Sequence, residues 1–124
     1  MHTIFIIDDS PIVRRLLKEG ILGSKLGYEE AANGEDALDK LKGGFKPDVI
    51  VTDINMPKMD GLTLIKEVRK LAGTRFIPIF VLTTEQSPEK QSIAKAAGAT
   101  GWLVKPIGWD MLYKALQQAV PGLR

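Results

Sequence analysis

Residues 47–53 read PDVIVTD, and this stretch decides the class of fold. Its three central positions are Val, Ile and Val, whose branched side chains favour extended backbone. A strand with one wet face alternates apolar and polar residues, whereas a strand of a parallel sheet is covered on both faces and is apolar throughout. The stretch therefore predicts the buried central strand of a parallel sheet, with Asp53 at its carboxyl end.

Outward from this stretch, short apolar runs alternate with longer amphipathic segments. Further strands are predicted at residues 3–8, 28–32, 77–83 and 101–104. One helical region is predicted to begin at Pro11 and to end at Gly27, and further helices cover residues 34–41, 62–71, 88–97 and 109–119. Ser10-Pro11 and Ser87-Pro88 each join an N-cap residue to a proline suited to the first helical turn.

Five strand–helix units that follow one another without a long linker predict an α/β domain. Alternating strands and helices favour a parallel sheet covered by helices on both faces, with right-handed crossovers. Five strands favour a doubly wound, flavodoxin-like sheet in the order 2-1-3-4-5 with five helices. We expect residues 1–124 to form this single domain.

The composition narrows the function classes. The chain has 124 residues, a formal net charge of +2 and no cysteine, which excludes disulfides, thiolate metal sites and a cysteine nucleophile. Its basic residues are scattered among acids, so we expect neither nucleic acid nor a membrane surface as a partner. The apolar run in the N-terminal MHTIFIIDD is too short for a signal peptide, and a cytoplasmic location is expected.

Acids, hydroxyls and one lysine follow the predicted strands. They are Asp8 and Asp9 after strand 1, Asp53 after strand 3, Thr83 and Thr84 after strand 4, and Lys105 after strand 5. Each alone has an ordinary explanation as a cap, a turn residue or a surface lysine. In a doubly wound sheet, however, these strand ends converge where the winding reverses, between strands 1 and 3.

This convergence predicts a phosphoryl site. Three carboxylates repel one another, and a hard divalent ion such as Mg²⁺ removes the conflict. A carboxylate can also act as a nucleophile and form an acyl phosphate. Asp53 is the candidate acceptor, while Lys105 would neutralise phosphoryl oxygens and Thr83 would donate a hydrogen bond to one of them.

Four motifs resemble the receiver domain of two-component response regulators. They are IIDDS at residues 6–10, VTDINMPKMDG at 51–61, VLTTE at 81–85 and GWLVKPI at 101–107. Each is modestly specific, but all four in this order and spacing are highly specific. The resemblance covers essentially the whole chain and is strongest to stand-alone chemotaxis regulators of the CheY type.

The resemblance implies a role for each motif residue. Asp53 resembles the phospho-acceptor, Thr83 the switch hydroxyl and Lys105 the lysine that contacts the phosphoryl group, and the bond before Pro106 is expected to be cis. For the metal, Mg²⁺ with Mn²⁺ as an alternative, the implied ligands are Asp9, Asp53 and the backbone carbonyl of Asn55. Asp8 is expected to act largely through an ordered water.

Four further positions concern regulation. Asn55 and Glu85 match positions that tune dephosphorylation in the family, where polar residues help to orient the attacking water. Thr84 is bulkier than the small residue often found there and is expected to narrow access to Asp53. Trp102 is the main departure, because most relatives carry Tyr or Phe at this switch position. The alternative interpretation of Trp102 is simple packing of strand 5.

The resemblance also implies partners and leaves alternatives open. The donor would be a CheA-like sensor histidine kinase, and the output would use the face of helix 4, strand 5 and helix 5, bordered by Lys90, Lys95 and Lys114. A flagellar motor switch is one implied target, and a phosphatase is a further implied partner. The chain is expected to be a monomer. It is expected not to be an enzyme in the usual sense, because it would catalyse only its own phosphorylation and dephosphorylation. The alternatives are a phosphate sink or relay intermediate without an output partner and, more remotely, a flavodoxin-like small-ligand module.

Overall fold

The protein is described here by a computed structural model that covers residues 2–123. The strands are β1 (Thr3–Ile7), β2 (Gly27–Ala31), β3 (Val49–Thr52), β4 (Ile79–Thr83) and β5 (Gly101–Val104). The helices are α1 (Pro11–Leu22), α2 (Gly34–Lys42), α3 (Gly61–Lys70), α4 (Pro88–Ala97) and α5 (Trp109–Ala119), with a 3₁₀ turn at Ala72–Thr74. Within residues 2–123, no helix has the length and apolar character needed to cross a lipid bilayer.

The five strands form one parallel sheet in the order β2-β1-β3-β4-β5, which confirms the predicted topology. Residues along each strand alternate between its two faces. Phe5 and Ile7 therefore join a buried cluster with α2, α3 and α4, whereas Ile4 and Ile6 join a second cluster with α1 and α5. Burial of each such side chain contributes roughly 1.5–3 kcal/mol, so both helical layers are packed firmly against β1.

The predicted element ends were wrong most clearly at the first helix and the third strand, and strand 4 begins at Ile79 rather than at residue 77. The first helix ends at Leu22 rather than at Gly27, because Gly23 caps it and Gly27 already pairs with Thr3 in the sheet. The central strand is β3, which covers Val49–Thr52 and not residues 47–53. The residues that flank it on either side still form backbone hydrogen bonds with β1. The N–H of Asp48 donates to the Thr3 carbonyl at 2.9 Å, and that of Asp53 donates to the Ile7 carbonyl at 2.9 Å. These two hydrogen bonds to β1 carry the extended chain past the paired residues at both ends.

The sheet register aligns the carboxyl ends of the strands. Ile7 lies beside Thr52 between β1 and β3, and Thr83 lies beside Val104 between β4 and β5. The residues that follow these strands therefore leave the sheet at one edge. The backbone register alone therefore brings the predicted site residues to the same edge of the sheet.

An ion network joins α1 to the edge strand β2. Glu30 on β2 accepts from Arg14 Nε and from Lys18 Nζ, each at 2.9 Å, and its side chain is about a third exposed. The hydrogen bond from Lys18, together with that from Arg14, outweighs partial burial and lowers the pKa of Glu30 below its usual value. The network therefore stabilises the folded state while Glu30 is ionised.

The change Glu30→Gln should lower the free energy of unfolding at pH 7 by about 0.2–1 kcal/mol, as expected for partly exposed pairs. Because the pKa of Glu30 is lowered in the folded state, this stability is present above its ordinary value of 4.5 and is lost as the pH falls through the folded pKa. Urea unfolding at pH 7 and pH 3.5 measures the difference. Glu89→Gln, on the exposed surface of α4, is the control, and a Glu30→Gln deficit that stays constant with pH would contradict the assignment.

Candidate functional site

A buried lysine bridge lies at the carboxyl edge of the sheet. Lys105 Nζ lies 2.7 Å from Asp8 Oδ2 and 2.9 Å from Asp53 Oδ2. Asp8 is 3% exposed and Asp53 is 9% exposed, so both carboxylates are largely withdrawn from water. The three predicted residues, separated by up to 97 positions in the chain, are thus brought into direct contact.

The backbone fixes both carboxylates. Asp8 Oδ1 accepts from the Ser10 N–H at 2.9 Å, in the turn that leads into α1. Asp53 Oδ1 accepts from the Ile54 N–H at 2.6 Å, directly after β3. Each carboxylate therefore has one oxygen held by the backbone and the other held by Lys105, so the pair is oriented before any ligand arrives.

Burial and charge act in opposite directions on these groups. Burial raises the pKa of Asp8 above its usual value, although the hydrogen bonds from Lys105 and Ser10 partly oppose this rise. Burial by itself would lower the pKa of Lys105, but the hydrogen bonds and charges of Asp8 and Asp53 outweigh it and raise that pKa. Lys105 therefore stays an ammonium ion at neutral pH.

The acidic residues are grouped as a metal site requires. Asp8, Asp9 and Asp53 each offer a carboxylate oxygen, and these oxygens lie within 4.8 Å of one another. Three carboxylates against one ammonium leave excess negative charge, which a divalent cation would neutralise. Hard oxygen donors, with Asp9 open to solvent for additional waters, fit Mg²⁺ or Mn²⁺. Asn55 follows at an exposed position, and its carbonyl remains a predicted ligand.

The hydroxyl of Thr83 stands at the end of β4, at the same edge. Thr83 is fully buried, and its Oγ1 accepts from the Glu85 N–H at 3.2 Å. A hydroxyl that accepts one hydrogen bond keeps its own O–H as a donor. Thr84 is exposed at the surface beside it, and its effect on access to Asp53 remains a prediction.

Glu85 directs its carboxylate toward α4. Its Oε1 accepts from Lys90 Nζ at 2.9 Å, and its Oε2 accepts from the Ser87 N–H at 3.4 Å. The hydrogen bond from Lys90 is the main cause that lowers the pKa of Glu85. The predicted tuning residue is thus connected both to the Thr83 hydroxyl, through its backbone, and to the first turn of α4, through its side chain.

The loop after Asp53 closes tightly over the end of β3. A Cβ placed on Gly61 would lie 2.1 Å from the Asp53 carbonyl oxygen, so only glycine fits there. The N–H of Gly61 also donates to the Ile54 carbonyl at 2.8 Å. Lys58 and Met59 turn the loop with φ values of 51° and 94°. Gly61 lies in the motif at residues 51–61, but this close approach was not predicted from the sequence.

Trp102 packs against the buried cluster on the α2, α3 and α4 side of the sheet. Its indole Nε1 is buried, and within the described part of the chain it has no hydrogen-bond partner. These contacts show that Trp102 contributes to packing on β5, while its role as a switch remains a prediction. The peptide bond between Lys105 and Pro106 is cis, as the resemblance implied.

One contact at the site had no signal in the sequence. Arg14 Nη1 donates to the backbone carbonyl of Asp8, while its Nε is paired with Glu30. Nothing in the spacing of the residues in α1 distinguishes Arg14 from Arg15, which follows it and lies at the surface. The helical rotation of α1, which only the structure gives, decides which of the two reaches the site.

The sequence and the fold are similar to those of known proteins. Residues 4–117 match the response regulator receiver domain family, and the chain belongs to that family. It is 38% identical over 117 residues to the chemotaxis protein CheY1 of Helicobacter pylori, covering 92% of this chain and 93% of the relative. The identities to this relative and to the structure described next confirm the predicted likeness to CheY-type regulators.

Two solved structures extend the comparison. The chemotaxis response regulator CheY4 of Vibrio cholerae superposes with a TM-score of 0.90 at 42% identity, covering 97% of this chain and 99% of that one. The receiver domain of sensor histidine kinase PA1611 from Pseudomonas aeruginosa, whose structure has a magnesium ion coordinated in the active site cleft, gives a TM-score of 0.87, covering 95% and 96%. At 23% identity, this second structure shows the shared fold alone.

Proposed function

We propose that this chain is a phospho-accepting response regulator that takes a phosphoryl group onto Asp53. The single observation that supports it best is the buried Lys105 bridge between Asp8 and Asp53, beside a third carboxylate from Asp9. An acid cluster with one ammonium suits a cation together with a phosphoryl anion. The acid cluster does not suit the phosphate of a flavin nucleotide bound without a metal ion, because the acids of the β1–α1 loop would repel that phosphate.

The proposed chemistry is transfer of a phosphoryl group from a histidine imidazole to the Asp53 carboxylate. A carboxylate oxygen of Asp53 attacks the phosphorus of a phosphohistidine, the P–N bond breaks as the new O–P bond forms, and the imidazole leaves with the electron pair. Bound Mg²⁺, held by Asp9, Asp53 and the Asn55 carbonyl, with Asp8 acting largely through a water, would supply charge neutralisation. Lys105 would shift from the carboxylates to a phosphoryl oxygen.

The signal would leave the site through Thr83. Its O–H, which the bond from the Glu85 N–H leaves free, would donate to a phosphoryl oxygen, and we expect the Thr83 side chain to turn toward Asp53. Because Glu85 also holds Lys90 and Ser87, such a movement would reach the first turn of α4. Trp102, on the neighbouring strand β5, would respond as the cluster under α4 repacks. Dephosphorylation is a separate reaction in which water attacks the phosphorus and the Asp53 carboxylate leaves, and Asn55 and Glu85 would help to orient that water.

Beryllofluoride, a phosphoryl mimic, tests this proposal on the whole protein. In the presence of Mg²⁺ it should change the fluorescence of Trp102, because the mimic would draw Thr83 toward Asp53. The sequence has two tryptophans, so Trp109→Phe leaves Trp102 as the sole indole. Fluorescence titration with beryllofluoride measures the response.

The matched control is Asp53→Asn, which keeps the shape of the side chain and removes its charge. We expect this variant to give no response at any mimic concentration. A wild-type protein that does not respond, or an Asp53→Asn variant that responds equally, would contradict the proposal.

A sensor histidine kinase is the proposed donor, and an apolar surface next to the site could receive it. Ile12 and Leu16, on α1, are 71% and 60% exposed. Leu16 also lines a cavity of about 190 Å³ together with Lys105, Pro106 and Ile107. Exposed apolar side chains beside a reactive group are typical of a protein contact surface. The donor histidine has to approach Asp53 from this solvent-facing edge.

The change Leu16→Glu should lower the rate of phosphoryl transfer from a cognate kinase at least about fivefold, because it places a charge in an apolar contact. Transfer from acetyl phosphate, which needs no docking surface, should stay unchanged. Leu22→Glu is the control, since Leu22 is 74% exposed at the opposite end of α1. Equal loss with both donors would locate the defect in the chemistry instead.

The proposed output face consists of α4, β5 and α5, bordered by Lys90, Lys95 and Lys114. The names of the CheY relatives support a chemotaxis pathway. We propose that this chain acts there in the cytoplasm, with a CheA-like kinase as donor, a flagellar motor switch as target and a phosphatase as a further partner. If the mimic-bound protein acquires no partner that the free protein lacks, the phosphate sink or relay becomes the better interpretation.

A further inference from the structure

Arg14 connects two elements that border the acidic site. It lies on α1 and is largely buried, with 17% of its side chain exposed. Its Nη1 donates to the Asp8 carbonyl, and its Nε donates to Glu30 Oε1 at 2.9 Å. The planar guanidinium can make both bonds at once because its donors point in fixed, diverging directions.

The Asp8 carbonyl belongs to the peptide group that joins Asp8 to Asp9. That peptide group is planar, so fixing its oxygen fixes the direction in which the chain enters Asp9. The N–H of Asp8 is already held by the Ala31 carbonyl at 3.1 Å. With Arg14 on the other side, the backbone of the two acids is constrained at both ends of Asp8.

The side of Arg14 that faces away from the site is held as well. Glu30 accepts from Arg14 with one oxygen and from Lys18 Nζ with the other, at 2.9 Å each. Glu30 lies on β2. The carbonyl of Ala31, the next residue of the same strand, accepts the hydrogen bond from the Asp8 N–H. Glu30 therefore anchors Arg14 to the same strand that anchors Asp8, and the loop between β1 and α1 is held as one unit.

We infer that Arg14 is a positioning residue for divalent metal binding, acting through the Asp8–Asp9 peptide group. This inference rests on the proposed function, in which Asp8, Asp9 and Asp53 hold Mg²⁺. Arg14 touches neither the metal nor the phosphoryl group. It reduces the conformational freedom that Asp9, the exposed acid of the three, must lose when the ion binds.

The direction in which Mg²⁺ affinity changes when Arg14 is removed distinguishes a positioning role from a purely electrostatic one. A guanidinium repels a nearby cation, so removing its charge would by itself tighten Mg²⁺ binding. Removing a positioning contact weakens binding, and residues that orient metal ligands are typically worth about tenfold or more in affinity. Positioning and electrostatics thus predict opposite changes for the same substitution.

Isothermal titration calorimetry of Mg²⁺ binding, on the full chain at neutral pH, measures this change. Arg14→Ala should weaken Mg²⁺ binding about tenfold. Lys18→Ala is the matched control, because it removes one positive charge from the same network and leaves the Asp8 carbonyl bond intact. Its Mg²⁺ affinity should stay unchanged or rise slightly.

Arg14→Lys and Glu30→Gln provide a second arm that does not depend on the alanine variant being folded, which thermal unfolding checks. Arg14→Lys keeps the charge but lacks the planar guanidinium that can bond the Asp8 carbonyl and Glu30 at once. It should therefore recover only part of the Mg²⁺ affinity. Glu30→Gln should weaken binding less than Arg14→Ala, since the carbonyl bond remains.

Two results would overturn the inference. Folded Arg14→Ala that binds Mg²⁺ as tightly as wild type, or more tightly, would show that the network acts only on stability or charge. Equal weakening in Lys18→Ala would show a general effect of the ion network. If wild type itself binds no Mg²⁺, the metal assignment in the proposed function fails together with the inference, and this outcome is distinct from the other two.

Discussion

The structure depends on one ammonium group placed between two buried carboxylates. Asp8 and Asp53 directly follow the adjacent strands β1 and β3, and withdrawing both carboxylates from water costs free energy. Lys105 offsets this cost with bonds of 2.7 and 2.9 Å. Removing one partner of a buried ion pair costs about 3–5 kcal/mol, because the remaining charge stays buried and uncompensated. The same electrostatic conflict is the physical basis on which we propose that this edge binds a cation and a phosphoryl anion.

The remainder of the fold positions this bridge. The two hydrophobic clusters hold β1, β3 and β4 in register, so that their carboxyl ends meet at one edge. Gly61 lets the loop after Asp53 press against the strand end, and Arg14 holds the backbone of Asp8 from the other side. Thr83 and Glu85 then connect the edge to α4. This helix is the natural element to move, because among its described residues only Ala94 is fully buried.

The sequence predicted the fold and the core of the site well, for identifiable reasons. The Val-Ile-Val centre of residues 47–53, apolar on both faces, indicated a parallel sheet, and the rule that strand ends converge brought Asp8, Asp53 and Lys105 together. Element ends were less predictable, since Gly27 could be assigned either to the end of a helix or to the start of a strand. The environment of Trp102 and the bond from Arg14 to Asp8 depend on rotations about helix and strand axes that no local pattern encodes.

The central claim is that Asp53 accepts a phosphoryl group with help from Lys105 and the neighbouring acids. Intact-protein mass spectrometry after incubation with acetyl phosphate and Mg²⁺ tests it most directly. The account predicts a mass gain of one phosphoryl group in the wild type, no gain when Mg²⁺ is chelated, and no gain in Asp53→Asn. A wild-type protein that stays unmodified under conditions where it is folded, or an Asp53→Asn variant that gains the same mass, would contradict it.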